Sequence, residues 1–456
     1  MFLARNLPPF VIGEALEHFD RQVDETLCRI AKIGTLSRIG KVVRGLPVTF
    51  QGLALPRLAA INRRAFFSSL LTMVEHFQDQ GGWFLAMVDK VTGLDGTKWV
   101  ISENERMELL TILPSYFQQG DAVAQGGQTP VYTPEELPRY VEGVNIKGRI
   151  RVPFLANTQA LDTAHRQRAL VKADNKHCHE RLVESCIIGR DSLAAAYLRA
   201  TPLTAAFASA LLSGTTTTIY YQLTAIEFIE MLQRKLWAGL EVAKGNSARC
   251  PCGKRFDNLA NQNQVISSRA GEAMAMHAGM CVQASGDLRR LRHDAVKVAL
   301  ANTIGRISPD NRVEVEYPVG ELRADIYARN VSDPNAYAYV DLSAISPVYS
   351  ATLEAATADP NAAAKAREIE KVRRANQADA PPHFKTHFVP FVWTDTGRLG
   401  DKAKAYLDKV TKWDTILAVR DARIAGARRH FIKSIGVITE RYNARLRLHL
   451  RSRLTW

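Results

Sequence analysis

After Gly286 the hydrophobic pattern alternates between helical and extended periods in one order: helix, strand, strand, strand, helix, strand, helix. The segments are DLRRLRHDAVKVALANTIGRI, RVEVEYPV, LRADIYARN, AYAYVDLSAIS, PNAAAKAREIEKVRRANQ, THFVPFVWT and DKAKAYLDKVTKW. Strands that alternate with helices in this way must bury a sheet between helical layers, so residues 286–412 are expected to form an α/β domain. Its core is expected between Arg289 and Thr394.

Two aspartates mirror each other in this pattern. Asp325 in LRADIYARN and Asp341 in YVDLSAIS lie equally far from Asp333, the centre of the turn VSDPN. An antiparallel hairpin centred there sets the two side chains opposite each other across the ladder. Like charges so placed destabilise a sheet unless a cation lies between them. A turn centred between Val319 and Gly320 would bring Glu314 near Asp325, with Glu316 two residues along; either could add a third carboxylate. Such a group suits Mg²⁺ or Mn²⁺, and a cation held by carboxylates can activate water against a phosphodiester. A lysine would help neutralise the phosphate. Position 343 is Ser, so the lysine must come from the next helix, where Lys365 and Lys371 are the candidates.

Upstream, Cys250 and Cys252 flank a Cys-Pro-Cys-Gly turn, and His277 and Cys281 are four apart, a spacing that puts both on one face of a helix. Four soft or borderline ligands suit a closed, tetrahedral, structural Zn²⁺ site, expected within residues 246–285. His177, Cys178, His179 and Cys186 are also close in sequence, but helical neighbours point in different directions and no metal is expected there. Six cysteines in 456 residues are too few for a disulfide framework, which fits a reducing, intracellular setting.

The first 245 residues read differently. Phe10 to Ile33 repeats apolar residues at three- and four-residue steps, as a long amphipathic helix does, with Cys28 in the apolar stripe. A Pro/Gly-punctuated opening and an apolar helix follow over Arg44 to Leu71, then a second helix through Met73 to Phe77 and a loop at Gly120 to Pro134. Helical pattern resumes from Thr163 to about Ala243. The start of the chain has no signal-peptide pattern, and no stretch is apolar for long enough to span a bilayer, so no membrane partner is expected.

The net charge of +14, from 60 Lys and Arg against 46 Asp and Glu, favours a polyanionic partner. More than half of it lies in the tail, expected over residues 413–456, from Arg420 to the end of that segment. From Arg420 onward ten Lys and Arg face only Asp421 and Glu440. Ile424, Phe431, Ile432, Ile435, Val437 and Ile438 interleave with them, so a helix could dock by one face and offer Arg428, Arg429, Lys433, Arg441 and Arg445 to phosphates by the other.

Taken together, CPCG…HAGMC, RLRHDAV, RADI, VDLSAISP, the helix ending EKVRRAN, and FVPFVWTDTGRLG resemble the restriction-like endonuclease that follows the reverse transcriptase in some non-LTR retrotransposons, a branch of the PD-(D/E)XK nucleases. LPPF…EHFDRQV and GLPVTFQGLALPRLAAINRRAFFSSLL are similar to the segment behind the polymerase palm. The resemblance implies a thumb- or connection-like helical region over residues 1–245. It also implies that Asp325 and Asp341 are the motif's acids and that Lys371 is its lysine, displaced onto the helix. Ala324 stands where the motif has proline, and the Lys-x-x-Lys-Tyr-like stretch reads Lys371, Val372, Arg373, Arg374, Ala375. The chain has no Tyr/Phe-x-Asp-Asp motif, so no polymerase activity of its own is expected. The implied function is metal-dependent nicking of target DNA. The implied partners are that DNA, element RNA and the polymerase portion of the same element, in the nucleus if the element is eukaryotic. The alternative is a zinc-containing nucleic-acid-binding remnant without cleavage.

Overall fold

The computed structural model describes residues 9–62, 65, 163–200, 223–238, 250, 252–254, 274, 276–278, 281–307, 311–330, 337–377, 379–412 and 418–454. The helices α1 (Pro9–Ala31), α2 (Arg38–Val43) and α3 (Thr163–Ile188) come first. The chain divides into two compact units, Met1–Leu27 with Leu55–Arg181, and Cys28–Ala54 with Leu182–Trp456. The helix through Met73 to Phe77 and the loop at Gly120 to Pro134 lie outside the described residues. In the first unit the Asp20 carboxylate accepts the main-chain hydrogens of Leu58 and Ala59 at 3.0 and 3.2 Å, which satisfies two donors at the start of a helical turn.

The second unit carries α4 (Ser192–Arg199), α5 (Ala225–Lys235), α6 (Val282–Ser285) and α7 (Leu288–Ile307), followed by β1 (Asn311–Val319), β2 (Leu322–Asn330) and β3 (Tyr337–Ile345). Next come α8 (Leu353–Ala358), α9 (Ala362–Gln377), α10 (Pro382–His387), β4 (Phe388–Thr394), α11 (Asp401–Lys412) and α12 (Ala418–Leu454). Each helix and strand expected after Gly286 is present. One boundary moves: Thr386 and His387 belong to α10, so the last strand starts at Phe388. Local chemistry sets several starts. Thr224 and Glu227 form a reciprocal capping box on α5, and Asp191 caps α4 through Ala194 N at 3.0 Å.

The sheet is mixed, in the order β1-β2-β3-β4, with two antiparallel pairs and then β4 parallel to β3. β4 is an edge strand, yet it is buried from Pro390 to Thr394, because α9 and α11 cover it. On one side of the sheet Val296, Leu300, Ile304 and Ile307 of α7 pack with Ile326, Val340, Leu342 and Phe391 and with Phe431, Ile435 and Ile438 of α12. Burying each such side chain contributes roughly 1.5–3 kcal/mol, enough to hold the two helices against this face of the sheet. Another cluster joins Val319, Ala324, Tyr339, Ala375 and Phe384.

The sheet breaks its own period at one place. Ile326 belongs to the α7–α12 core, whereas Ala324 belongs to the Tyr339–Phe384 cluster. Residues two apart in a regular strand share a face, so β2 rolls over at Asp325. β1 does the same at Glu316, which has φ +57°, with Val313 on the α7 side and Tyr317 and Val319 in the other cluster. A non-glycine residue in this region costs energy and persists only where its surroundings enforce it.

The β1–β2 turn corrects one expectation. Val319 pairs with Leu322, so the turn residues are Gly320 and Glu321, and Gly320 takes φ +60°. The centre therefore lies one residue later than expected, and each partner shifts by two. Glu314 faces Tyr327, and Glu316 takes the place across from Asp325, between the pairs Val315↔Ile326 and Tyr317↔Ala324.

Candidate functional site

β2 and β3 pair as Ile326↔Val340, Tyr327↔Tyr339, Ala328↔Ala338 and Arg329↔Tyr337. One step further along this register Asp325 meets Asp341, although the turn around Asp333 lies outside the described residues. The Asp325 Oδ2 accepts the main-chain hydrogen of Leu342 at 2.6 Å, so the carboxylate takes a donor from β3 where the ladder is interrupted. Its side chain is 16% exposed and that of Asp341 is 31% exposed, which leaves the pair open to a ligand at one end.

Each acid has a basic partner from a different helix. Lys371 of α9 donates to Asp341 Oδ2 at 2.6 Å, and His293 of α7 lies with Nε2 3.1 Å from Asp325 Oδ2. Burial pushes the Asp341 carboxyl up and, with the negative charge of Asp325, outweighs Lys371, so it sits above the ordinary value. Burial also pushes Asp325 up, but the His293 hydrogen bond and charge and the Leu342 N–H outweigh it, so this carboxyl sits below its ordinary value. Burial pulls His293 down, but its bonds to Asp325 and Asp294 carry it above its ordinary value. Two like groups in one site are thus driven apart in acidity, an arrangement typical of sites that handle protons or cations.

The other sequence candidates separate. Lys365 pairs with Asp359 at 2.9 Å on the exposed side of α9 and does not reach the aspartates. Glu314 pairs with Arg312 at 2.7 Å, and Glu316 is taken up by Lys297 of α7 and by Arg323, the latter at 2.7 Å. Neither glutamate completes a converging carboxylate group with Asp325 and Asp341. His293 and Lys297 went unrecognised in the sequence. Their four-residue spacing on one face of α7, beside the apolar stripe Val296, Leu300 and Ile304, was the available signal. Arg367, whose Nε donates to Ser343 Oγ at 2.9 Å, brings a cation to the position where the simple lysine is missing.

The second cluster is Cys250, Cys252, His277 and Cys281, whose ligand atoms all lie within 4.8 Å of one another. Cys250 Sγ is 3.5 Å from Cys281 Sγ, and Cys252 Sγ is 3.3 Å from His277 Nε2. A tight turn closes the first pair, with Gly253 N donating to Cys250 O at 2.8 Å and Gly253 at φ +86°. The helical bond from Cys281 N to His277 O at 2.9 Å stacks the second pair on one face. Burial pushes the Cys250 thiol up to about 12. Burial and the Lys254 charge push His277 down to about 4, which keeps the imidazole neutral and fit to ligate at neutral pH. The four residues can hold a zinc ion, and as a closed set they would brace the fold rather than bind substrate. Among the described residues this is the one group of three or more such side chains that converges. His177 is exposed and Cys186 buried on α3.

The tail forms one helix, α12, and docks by the expected apolar residues Phe431, Ile432, Ile435, Val437 and Ile438. Its basic residues are not the free face that the sequence suggested. Arg445 and Arg441 bond Glu227 at 2.6 and 3.7 Å, and Arg428 bonds Asp408 at 2.5 Å. Arg447 and Arg451 meet the buried Glu230, and Arg234 meets the buried Glu440 at 2.7 Å. Carboxylates of α5, more than two hundred residues away in sequence, have taken the charges of Arg441, Arg445, Arg447 and Arg451. Arg429 stays exposed and Lys433 half-buried.

Compared with known proteins, the chain matches no family model and no curated protein. No helix among the described residues is long and apolar enough to cross a membrane.

Proposed function

We propose that the chain is a divalent-cation-dependent DNA endonuclease of the restriction-like, PD-(D/E)XK kind, and the downstream portion of a retrotransposon-type reverse transcriptase protein. The observation that carries this reading is the convergence of Asp325, Asp341 and Lys371 at the break in the sheet, with Lys371 2.6 Å from Asp341. The element order supports it too: a helix, three antiparallel strands, helices and a fourth strand parallel to the third. On the same reading residues 1–245 serve as the thumb- or connection-like region, and target DNA and element RNA are the partners.

Asp325 and Asp341 are the residues that would hold Mg²⁺ or Mn²⁺. Two carboxylates fit this group, because Mg²⁺ sites commonly use one or two and fill the rest of the octahedron with water and substrate phosphate. A bound cation supplies Lewis acidity and a water of lowered pKa. Lys371 has three donors, so it can keep Asp341 and turn another N–H to a phosphate oxygen. His293 holds Asp325 in its orientation through Oδ2 and leaves Oδ1 for other partners.

The test is plasmid nicking by the purified chain with Mg²⁺ or Mn²⁺. Nicking that Asp325→Ala and Asp341→Ala abolish supports the proposal. Salt-sensitive DNA binding that survives in Asp341→Ala, with no cleavage by the parent chain, overturns it in favour of a binding protein without nuclease activity.

A further inference from the structure

A cavity of about 300 Å³ lies at the far end of β2 and β3 from the aspartates. Arg329 stands four residues beyond Asp325, and Tyr337 four before Asp341, or roughly 13 Å along each strand. The remaining cations come from α11, where Lys402 and Lys409 lie seven residues apart, two helical turns, and so share one face. No aspartate or glutamate lines the cavity.

Part of the lining is aromatic: the rings of Tyr337 and His387 lie 4.0 Å apart between centroids.

We infer that this cavity is a nucleotide-binding site, with Arg329, Lys402 and Lys409 taking the phosphate and the Tyr337–His387 pair supporting the base. Cations unopposed by acids recognise phosphate, and an aromatic pair offers a planar base its stacking partner. The chemistry is shared by a free mononucleotide and by the terminal nucleotide of a strand. The site does not depend on cleavage at Asp325 and Asp341.

Titration calorimetry of the full chain with deoxyadenosine monophosphate, deoxyadenosine and inorganic phosphate tests the inference. The monophosphate should bind more tightly than either fragment. Arg329→Gln combined with Lys409→Gln, both at exposed positions, should weaken binding about tenfold or more, the loss of charge-assisted hydrogen bonds. Asp325→Ala should leave it unchanged. Competition by a short 5′-phosphorylated oligonucleotide marks a strand end as the source, and its absence marks a free nucleotide. No saturable binding of the monophosphate, affinity no better than that of phosphate alone, or undiminished binding in the double variant overturns the inference. Nicking by a chain that binds no nucleotide here would overturn this inference and leave the nuclease reading intact.

Discussion

Lys371 Nζ lies 2.6 Å from Asp341 Oδ2, while Lys365, six residues earlier on the same helix, pairs with Asp359. Lys371→Ala should lower nicking by about 100-fold, as removal of one preorganised charged donor commonly does. Lys365→Ala should leave the rate unchanged. Single-turnover rates on supercoiled plasmid compare the two, and equal losses would remove Lys371 from its role.

The Cys/His cluster should carry one zinc per chain, since its four ligand atoms form a closed set. Metal analysis of protein purified without chelators gives the stoichiometry. Cys252→Ser should lose the ion and lower Tm by roughly 5 °C or more, because an ion that binds only the folded chain stabilises it. Binding should release protons, as the Cys250 thiol sits high, at about 12, and must deprotonate to ligate. A chain free of zinc with unaltered Tm would refute the assignment.

Glu230 and Arg447 form a pair with side chains 1% and 2% exposed, joining α5 to α12 at 3.1 Å. Glu230→Ala leaves a buried guanidinium uncompensated and should cost about 3–5 kcal/mol in urea unfolding. Replacing both residues by apolar ones of similar volume should cost much less. That contrast separates the penalty of an orphaned charge from the net worth of the pair.

Glu368 is buried on α9 and accepts Lys402 N at 2.9 Å at the start of α11, while Gly400 approaches so closely that a Cβ there would meet the Glu368 carboxylate. Burial raises this carboxyl above 4.5 despite the main-chain donors. A raised folded value means that its stabilising contribution is present below the unfolded pKa and is lost as pH rises through the folded one. Glu368→Gln keeps an acceptor for Lys402 N and does not ionise. The variant should gain stability relative to the parent as pH rises above the ordinary glutamate value of 4.5, read from urea midpoints across a pH series. A difference independent of pH would show that Glu368 titrates normally.

Much of the α/β unit was legible because its signals are local. The change from helical to alternating period placed four strands and their helices, and the equal spacing of Asp325 and Asp341 from Asp333 anticipated the β2–β3 register. The i,i+4 step likewise brought His277 and Cys281 together before any partner was known. These features depend on backbone periodicity, which a short stretch of chain carries by itself.

Other relationships were settled only by tertiary packing. Moving the β1–β2 turn onto Gly320 and Glu321 put Glu316 across from Asp325 in place of Glu314, because a one-residue change of centre displaces every cross-strand partner by two. The docking of α9 selected Lys371 over Lys365, and α7 delivered His293. The tail shows the limit most plainly. Its sequence established a basic amphipathic helix, but Glu227 and Glu230, brought against it from α5, turned Arg441, Arg445, Arg447 and Arg451 into internal ion pairs. Periodicity determines which face of an element is apolar, whereas the partner of each charge depends on what long-range burial brings within a few ångströms, where Coulomb attraction and desolvation are decided together.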